Sequence, residues 1–202
     1  MRAARTVILA AGDFPKRGGE AWNQLAAARF VVACDSAAIG YKRRFGRWPD
    51  VVIGDMDSLV GRYSRKAVKI IKDSDQETND LEKAIVWCRK NAHRDIVIVG
   101  ASGKREDHTI GNVFRSLHYK VRIITENGVF YPVEGAKRFK SREGAGVSIF
   151  AVHPLTEMTS KGLKWPLDGV KFDTLFRATL NRASGKSFSV TASHPVSVFI
   201  SF

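Results

Sequence analysis

The sequence predicts an N-terminal α/β part with a mainly parallel sheet, followed by a C-terminal antiparallel β-sandwich. Two observations predict it. Over the first two-thirds, short branched apolar runs alternate with helical patterns, which is how a parallel sheet covered by helices reads. After about Asn127, Gly, Pro and Ser become frequent, helical periodicity fades, and short alternating runs take over.

The first part offers six candidate strands: Val7–Ala11, Phe30–Cys34, Val51–Ile53, Val68–Ile71, Ile96–Val99 and Val121–Ile124. Each is short, apolar and rich in β-branched residues, as strands buried on both faces are. The clearest helix starts near Thr78, with Leu81, Ala84, Ile85 and Cys88 at i, i+3, i+4 and i+7 and Thr78 as its expected N-cap. A second helix is expected from about Asp107. The β-rich runs of the second part are Val147–Val152, Leu175–Leu180, Phe188–Thr191 and Val196–Phe202. Domains are expected at residues 1–128 and 129–202, and no internal repeat or low-complexity linker interrupts them.

Bulk properties narrow the classes of function. The chain has 202 residues, 44% hydrophobic and 26% charged, an ordinary balance for a globular protein. No apolar run reaches the roughly 18 residues that span a bilayer. Two cysteines, Cys34 and Cys88, make neither a disulfide framework nor a metal-type spacing, so a reducing cytoplasm is the expected compartment. The net charge of +13 favours anionic partners. The cations are spread along the chain without a zinc-finger or RNA-recognition signature, which argues against a nucleic-acid-binding module.

Four segments carry candidate chemistry. In Pro49–Leu59, Asp55 and Asp57 follow a strand through Gly54. Ligands of open α/β sheets bind at the carboxyl ends of strands, and an i, i+2 pair on extended backbone points to one side. Two such carboxylates suit Mg²⁺; solvated acids in a polar turn are the other reading. In Ser74–Ile85, Asp75, Glu77 and Asp80 crowd a helix start. They either offset the helix dipole or, through Asp80, complete a metal site with Asp55 and Asp57. Lys83, one turn on, either meets a phosphate or is an ordinary solvated lysine. Gly100–Val113 is a glycine-bearing strand-to-helix turn able to present backbone amides to phosphate. It is neither a Walker A nor a GxGxxG motif, and its His108 reads as a capping or packed side chain more often than as a base. In Thr159–Gly169, Trp165 precedes Pro166 on an extended stretch; it is a core residue or an exposed stacking surface.

Taken in order, these segments resemble the thiamin pyrophosphokinase family from Asp35 to the C-terminus. The resemblance rests on Ile53-Gly54-Asp55-Met56-Asp57-Ser58, on Asp75-Gln76 with Thr78, Asp80, Leu81, Glu82 and Lys83, on Gly103, Arg105, Asp107, His108, Thr109 and Asn112, and on Gly162-Leu163-Lys164-Trp165-Pro166-Leu167. It implies an α/β ATP-binding catalytic domain over residues 1–128 and a β-sandwich thiamin-binding domain over 129–202. It further implies a homodimer with active sites at the interface; the absence of a long apolar run leads to the separate expectation of no membrane partner.

The implied reaction is Mg²⁺-dependent transfer of a pyrophosphoryl group from ATP to thiamin, giving thiamin diphosphate and AMP. Asp55, Asp57 and Asp80 would hold the metal, with Asp107 beside them in catalysis. Asp35, Gln76, Thr78, Lys83, Arg105, His108 and Asn112 would contact ATP, and Trp165 and Asn181 thiamin. The chain departs from the family pattern at Asp35-Ser36-Ala37-Ala38-Ile39, where glycines and an amide are usual. It departs again at Gly103-Lys104, at Glu106, and at Thr179-Leu180-Asn181, where Leu180 replaces a serine. These changes fall near small-molecule contacts and spare the three metal acids. The alternatives are a Mg²⁺-dependent phosphohydrolase and a pyrophosphotransferase with another acceptor.

Overall fold

The computed structural model describes residues 5–55, 68–73, 75 and 77–202. Asp57 and Gln76 lie outside the described residues. The chain divides into two compact units, Met1–Asn112 with Ile123–Glu126, and Val113–Arg122 with Asn127–Phe202.

In the first unit the strands are β1 (Thr6–Leu9), β2 (Phe30–Cys34), β3 (Val51–Gly54), β4 (Lys69–Lys72), β5 (Ile96–Val99) and β6 (Arg122–Ile124). They match the six apolar runs to within two residues at each end. Their order is β6-β5-β1-β2-β3-β4. The ladders β1·β2, β1·β5, β2·β3 and β3·β4 are all parallel. Strand β1 is central, and its residues Val7, Ile8 and Leu9 are wholly buried, which explains an unbroken apolar run rather than an alternating one.

Two short helices not singled out by periodicity, α1 (Glu20–Ala26) and α2 (Ala37–Phe45), follow β1 and β2. Helix α3 spans Asp80–Lys90 and buries Leu81, Ala84, Ile85 and Cys88, the four residues its spacing selected. Its N-cap is Asn79 rather than Thr78: Asn79 Oδ1 accepts the Glu82 N–H at 2.9 Å. The Thr78 hydroxyl is instead turned to the preceding loop, donating to Asp75 Oδ2 at 2.6 Å. Helix α4 (Glu106–His118) starts one residue before the expected position.

The second unit is antiparallel. Strand β11 (Ser187–Ser201) pairs with β7 (Gly128–Lys140) along nearly its whole length. On its other side β11 pairs first with β9 (Met158–Lys161) and then with β8 (Gly146–Ala151), and β10 (Ala178–Arg182) lies against β8. The two runs read as Phe188–Thr191 and Val196–Phe202 are therefore one strand. Its register shifts between Ala192 and Val196, where Pro195 has no N–H to give to a ladder. Strand β10 starts three residues later than the run Leu175–Leu180 suggests, because Leu175 and Phe176 are exposed in the loop before it. Alternate residues of β7, β8 and β11 form the core, among them Val133, Phe139, Val147, Ile149, Phe188, Val190 and Val198. The Phe139 and Phe188 rings stack at 5.0 Å within it.

Candidate active site

Two acids close around a missing side chain, and a third follows it in the chain. Asp35 follows β2 in a left-handed turn (φ 41°), with its N–H bonded to Ile53 O at 2.9 Å. Gly54 ends β3, half-buried Asp55 follows it, and Asp80 opens α3. A Cβ added to Gly54 would stand 3.0 Å from Asp35 Cβ and 3.2 Å from Asp80 Oδ2. Glycine is what lets the two carboxyl groups close on the carboxyl end of β3.

The electrostatics reflect that crowding. Burial pushes the Asp80 carboxyl above its ordinary range, and the charges of Asp35, Asp55 and Asp73 push it the same way, against the pull of Lys83. Lys83 is not the solvated lysine that a helix surface would give. It is buried, its Nζ donates to Asp73 O at 2.9 Å, and it stands 3.9 Å from Asp80 Oδ1. Lys83 thus pulls the Asp80 carboxyl down without reversing its upward direction. Nearby, burial foremost and then the charge of Asp80 raise the Cys34 thiol far above its usual value, so Cys34 is an inert wall of the site.

The cluster is suited to a cation but does not cage one. Among the described residues no three His, Cys, Asp or Glu side chains form a group that could hold a metal ion unaided. An all-oxygen donor set of carboxylates nonetheless fits a hard divalent ion such as Mg²⁺, which keeps several waters and takes only one or two protein carboxylates. Asp73 was missed by sequence reading, as was the packing role of Gly54. Asp73 was nominally findable, since it follows β4 at the same sheet edge as Asp55.

The other nominated side chains of this unit fall into two groups. In the loop before α3, Asp75 accepts from Glu77 N at 2.9 Å as well as from Thr78, so the Thr78 hydroxyl is committed to shaping the loop. At the start of α4, Arg105 forks onto Asp107 with contacts of 3.1 and 2.5 Å. Both are exposed, and the Arg105 hydrogen bond holds the Asp107 carboxyl below its ordinary range. His108 is exposed beside them.

Asn112 is buried and donates to Ala101 O at 2.9 Å, tying α4 to the loop after β5. That loop is itself laced to the loop after β1. Asp13 N donates to Ser102 O at 2.8 Å, and Lys104 Nζ donates to Ala11 O at 2.7 Å. Gly103, at φ 79°, lies so close to the Asp13 carboxylate that any Cβ would strike it.

In the second unit, residues 163–165 run antiparallel to 181–183. Leu163 bridges Ala183, and Lys164 N donates to Arg182 O at 2.8 Å. Asn181 is buried and holds both backbone groups of Trp165: Oδ1 accepts from Trp165 N at 3.2 Å, and Nδ2 donates to Trp165 O at 2.7 Å. Trp165 is 50% exposed, so it is not a core tryptophan. Lys164 Nζ lies 4.8 Å from its ring centroid.

Comparison with known proteins decides what this assembly of parts is. Residues 21–125 match the family model "Thiamin pyrophosphokinase, catalytic domain", and residues 128–199 match "Thiamin pyrophosphokinase, substrate-binding domain". The chain belongs to the thiamin pyrophosphokinase family.

Thiamin pyrophosphokinase 1 of Caenorhabditis elegans is 30% identical over 105 residues, covering 48% of this chain and 42% of that protein. Thiamine pyrophosphokinase 1 of Oryza sativa subsp. japonica is 28% identical over 140 residues, 59% of this chain and 53% of that protein. The chain spans about half the length of the curated relatives it matches. The solved thiamin pyrophosphokinase of Candida albicans superposes with a TM-score of 0.79 at 19% identity, over 98% of this chain and 89% of that one. At that identity the likeness speaks for the fold.

Proposed function

We propose that this chain transfers a pyrophosphoryl group from ATP to thiamin, giving thiamin diphosphate and AMP. The observation that carries the reading is the group of carboxylates around Gly54, at the ligand-binding edge of a parallel sheet, in a chain of this family. Asp55, Asp57 and Asp80 are the residues that would hold Mg²⁺. Bound there, the ion would screen the phosphate charge and polarise the β-phosphorus.

The chain's own residues do the rest by positioning and electrostatics, as in phosphoryl transfer generally. The thiamin hydroxyl oxygen forms a bond to the β-phosphorus, the bond from that phosphorus to the α–β bridging oxygen breaks, AMP leaves with that oxygen, and the hydroxyl proton passes to solvent. Lys83 supplies a buried positive charge on the phosphate side, and Arg105 an exposed one. Asp107, held as an anion by Arg105, orients that guanidinium and is a poor proton acceptor. Asp35, Gln76, Thr78, His108 and Asn112 complete the ATP side. Asn112 and Thr78 act through the backbone they fix.

Residues 1–128 form the ATP-binding domain and residues 129–202 the thiamin-binding β-sandwich. Trp165 offers its exposed indole to the cationic heteroaromatic rings of thiamin, and Asn181 braces it. The enzyme works as a cytoplasmic homodimer. Incubation with MgATP and thiamin, followed by mass identification, tests the reading. Equal amounts of thiamin diphosphate and AMP are expected. ADP as product, or ATP hydrolysis indifferent to thiamin, would overturn it. Sedimentation velocity checks the dimer.

A further inference from the structure

Aromatic residues and cations alternate at two places that the four motif segments leave unused. One is Phe14-Pro15-Lys16-Arg17 after β1, and the other is Tyr41-Lys42-Arg43-Arg44-Phe45 in α2. The first unit brings these stretches to one open cleft of about 540 Å³, lined by Phe14, Pro15, Lys16, Arg17, Trp22 and Arg44.

Packing fixes its apolar side. The Phe14 ring lies against α2 at Gly40, where an added Cβ would stand 3.0 Å from Phe14 Cδ2. Trp22 of α1 meets that ring edge-on at 6.2 Å and stacks on Phe45 at 4.8 Å. Phe45 stacks in turn on buried Tyr41 at 4.6 Å. The row of rings thus starts at the covered side of α2 and ends at the cleft, where Trp22 and Phe14 are half-buried.

Its charge is left uncompensated. Lys16 and Arg17 are exposed, and Arg44 Cζ lies 4.1 Å from the Phe14 ring centroid. No carboxylate lines the cleft, and none of the three cations forms an ion pair among the described residues. Glu126 accepts the backbone N–H of Lys16 at 3.0 Å but makes no ion pair with its ammonium. Other cations of this helix end are engaged: Lys42 Nζ donates to Gly46 O at 2.6 Å, and Arg47 stands over Tyr41 at 5.4 Å. Three available cations beside two aromatic rings suit a planar base that carries phosphate. Guanidinium and ammonium groups take phosphate oxygens, and the rings take the base.

The cleft is distinct from the carboxylate site. Asp35 precedes the first turn of α2 and Arg44 stands in its last, roughly 10 Å along the axis. The signs of charge differ too. Metal-free nucleotide is repelled by a group of carboxylates, whereas side-chain cations hold it without an ion.

We infer that this cleft is a second, metal-independent binding site for a nucleoside di- or triphosphate, apart from the site of reaction. The base packs against Trp22 and Phe14, and the phosphates lie among Lys16, Arg17 and Arg44. The site stands whether or not the chain acts on thiamin.

Calorimetric titration of the full chain with ADP, in buffer stripped of divalent ions, tests it. One equivalent of ADP should bind per chain, and Asp80→Asn should leave the Kd within about twofold, since carboxylates play no part. Lys16→Glu and Arg17→Glu, both at exposed positions, should each weaken ADP at least about tenfold while holding Tm within about 2 °C. Inorganic pyrophosphate, a ring-free anion of similar charge, should bind at least about fivefold more weakly than ADP.

No ADP binding up to about 1 mM overturns the inference, as does binding that survives both charge reversals or is lost in Asp80→Asn. Pyrophosphate binding as tight as ADP also overturns it, because the rings then contribute nothing. The product assay with MgATP and thiamin is read separately, since Lys16 and Arg17 have no part in the proposed chemistry.

Discussion

Asp80 works against the fold it belongs to. Its carboxyl is raised by burial and by Asp35, Asp55 and Asp73, so the folded state binds its proton more tightly than the unfolded state does. A carboxyl of that sign destabilises the fold above the raised value, and the penalty fades as pH falls through it. Asp80→Asn should therefore leave Tm at pH 7 unchanged or higher, with the difference shrinking towards pH 4, while turnover falls at least about a hundredfold. Melting and product assays on the same preparation check both halves.

Added Mg²⁺ should raise the Tm of the unsubstituted protein, since an ion that binds only the folded state stabilises it by about 2.7 kcal/mol at a hundred times its Kd. Asp80→Asn should erase most of that rise, as a fluorescence melt with and without the ion would read. At this scale Asp55 and Asp80 were legible as acids at a strand end and a helix start. The vacant Cβ of Gly54 was not, because it is a property of backbone approach that no residue type announces.

Among the elements, α3 and the parallel strands were readable because burial on one stripe or on both faces writes itself into side-chain spacing. Strand β7 was not. Pro132, Gly135 and the cations Lys137, Arg138 and Lys140 mask it, and only its long pairing with β11 reveals it as a strand. Caps show the same limit: Thr78 and Asn79 are both good capping residues, and the competing bond from Thr78 to Asp75 decided between them. Asn79→Ala should cost about 1 kcal/mol of stability in a denaturant titration. Gly54→Ala should be harsher, about 1–3 kcal/mol, and should lose activity as well, because the new methyl pushes on Asp35 and Asp80 together.

Across the whole molecule, the net charge of +13 bears differently on the two proposed substrates. MgATP is an anion and thiamin a cation. The Debye length shrinks to about 10 Å at 0.1 M salt, so raising ionic strength removes a long-range attraction for one and a repulsion for the other. Between about 0.05 and 0.5 M salt, kcat/KM for ATP should fall roughly three- to tenfold while that for thiamin holds or rises. A parallel fall in both would show that the excess charge acts on neither encounter.

Strand β11 has a consequence for how the second unit comes into being. It is the common partner of β7, β8 and β9, and it comes after all of them in the chain. As a ribosome delivers residues in order, β7 and β9 emerge with open edges and must wait for Ser187 onward before their ladders can close. The second unit is therefore assembled by its latest strand, and until that strand arrives the nascent chain carries exposed pairing edges that a neighbouring copy could capture.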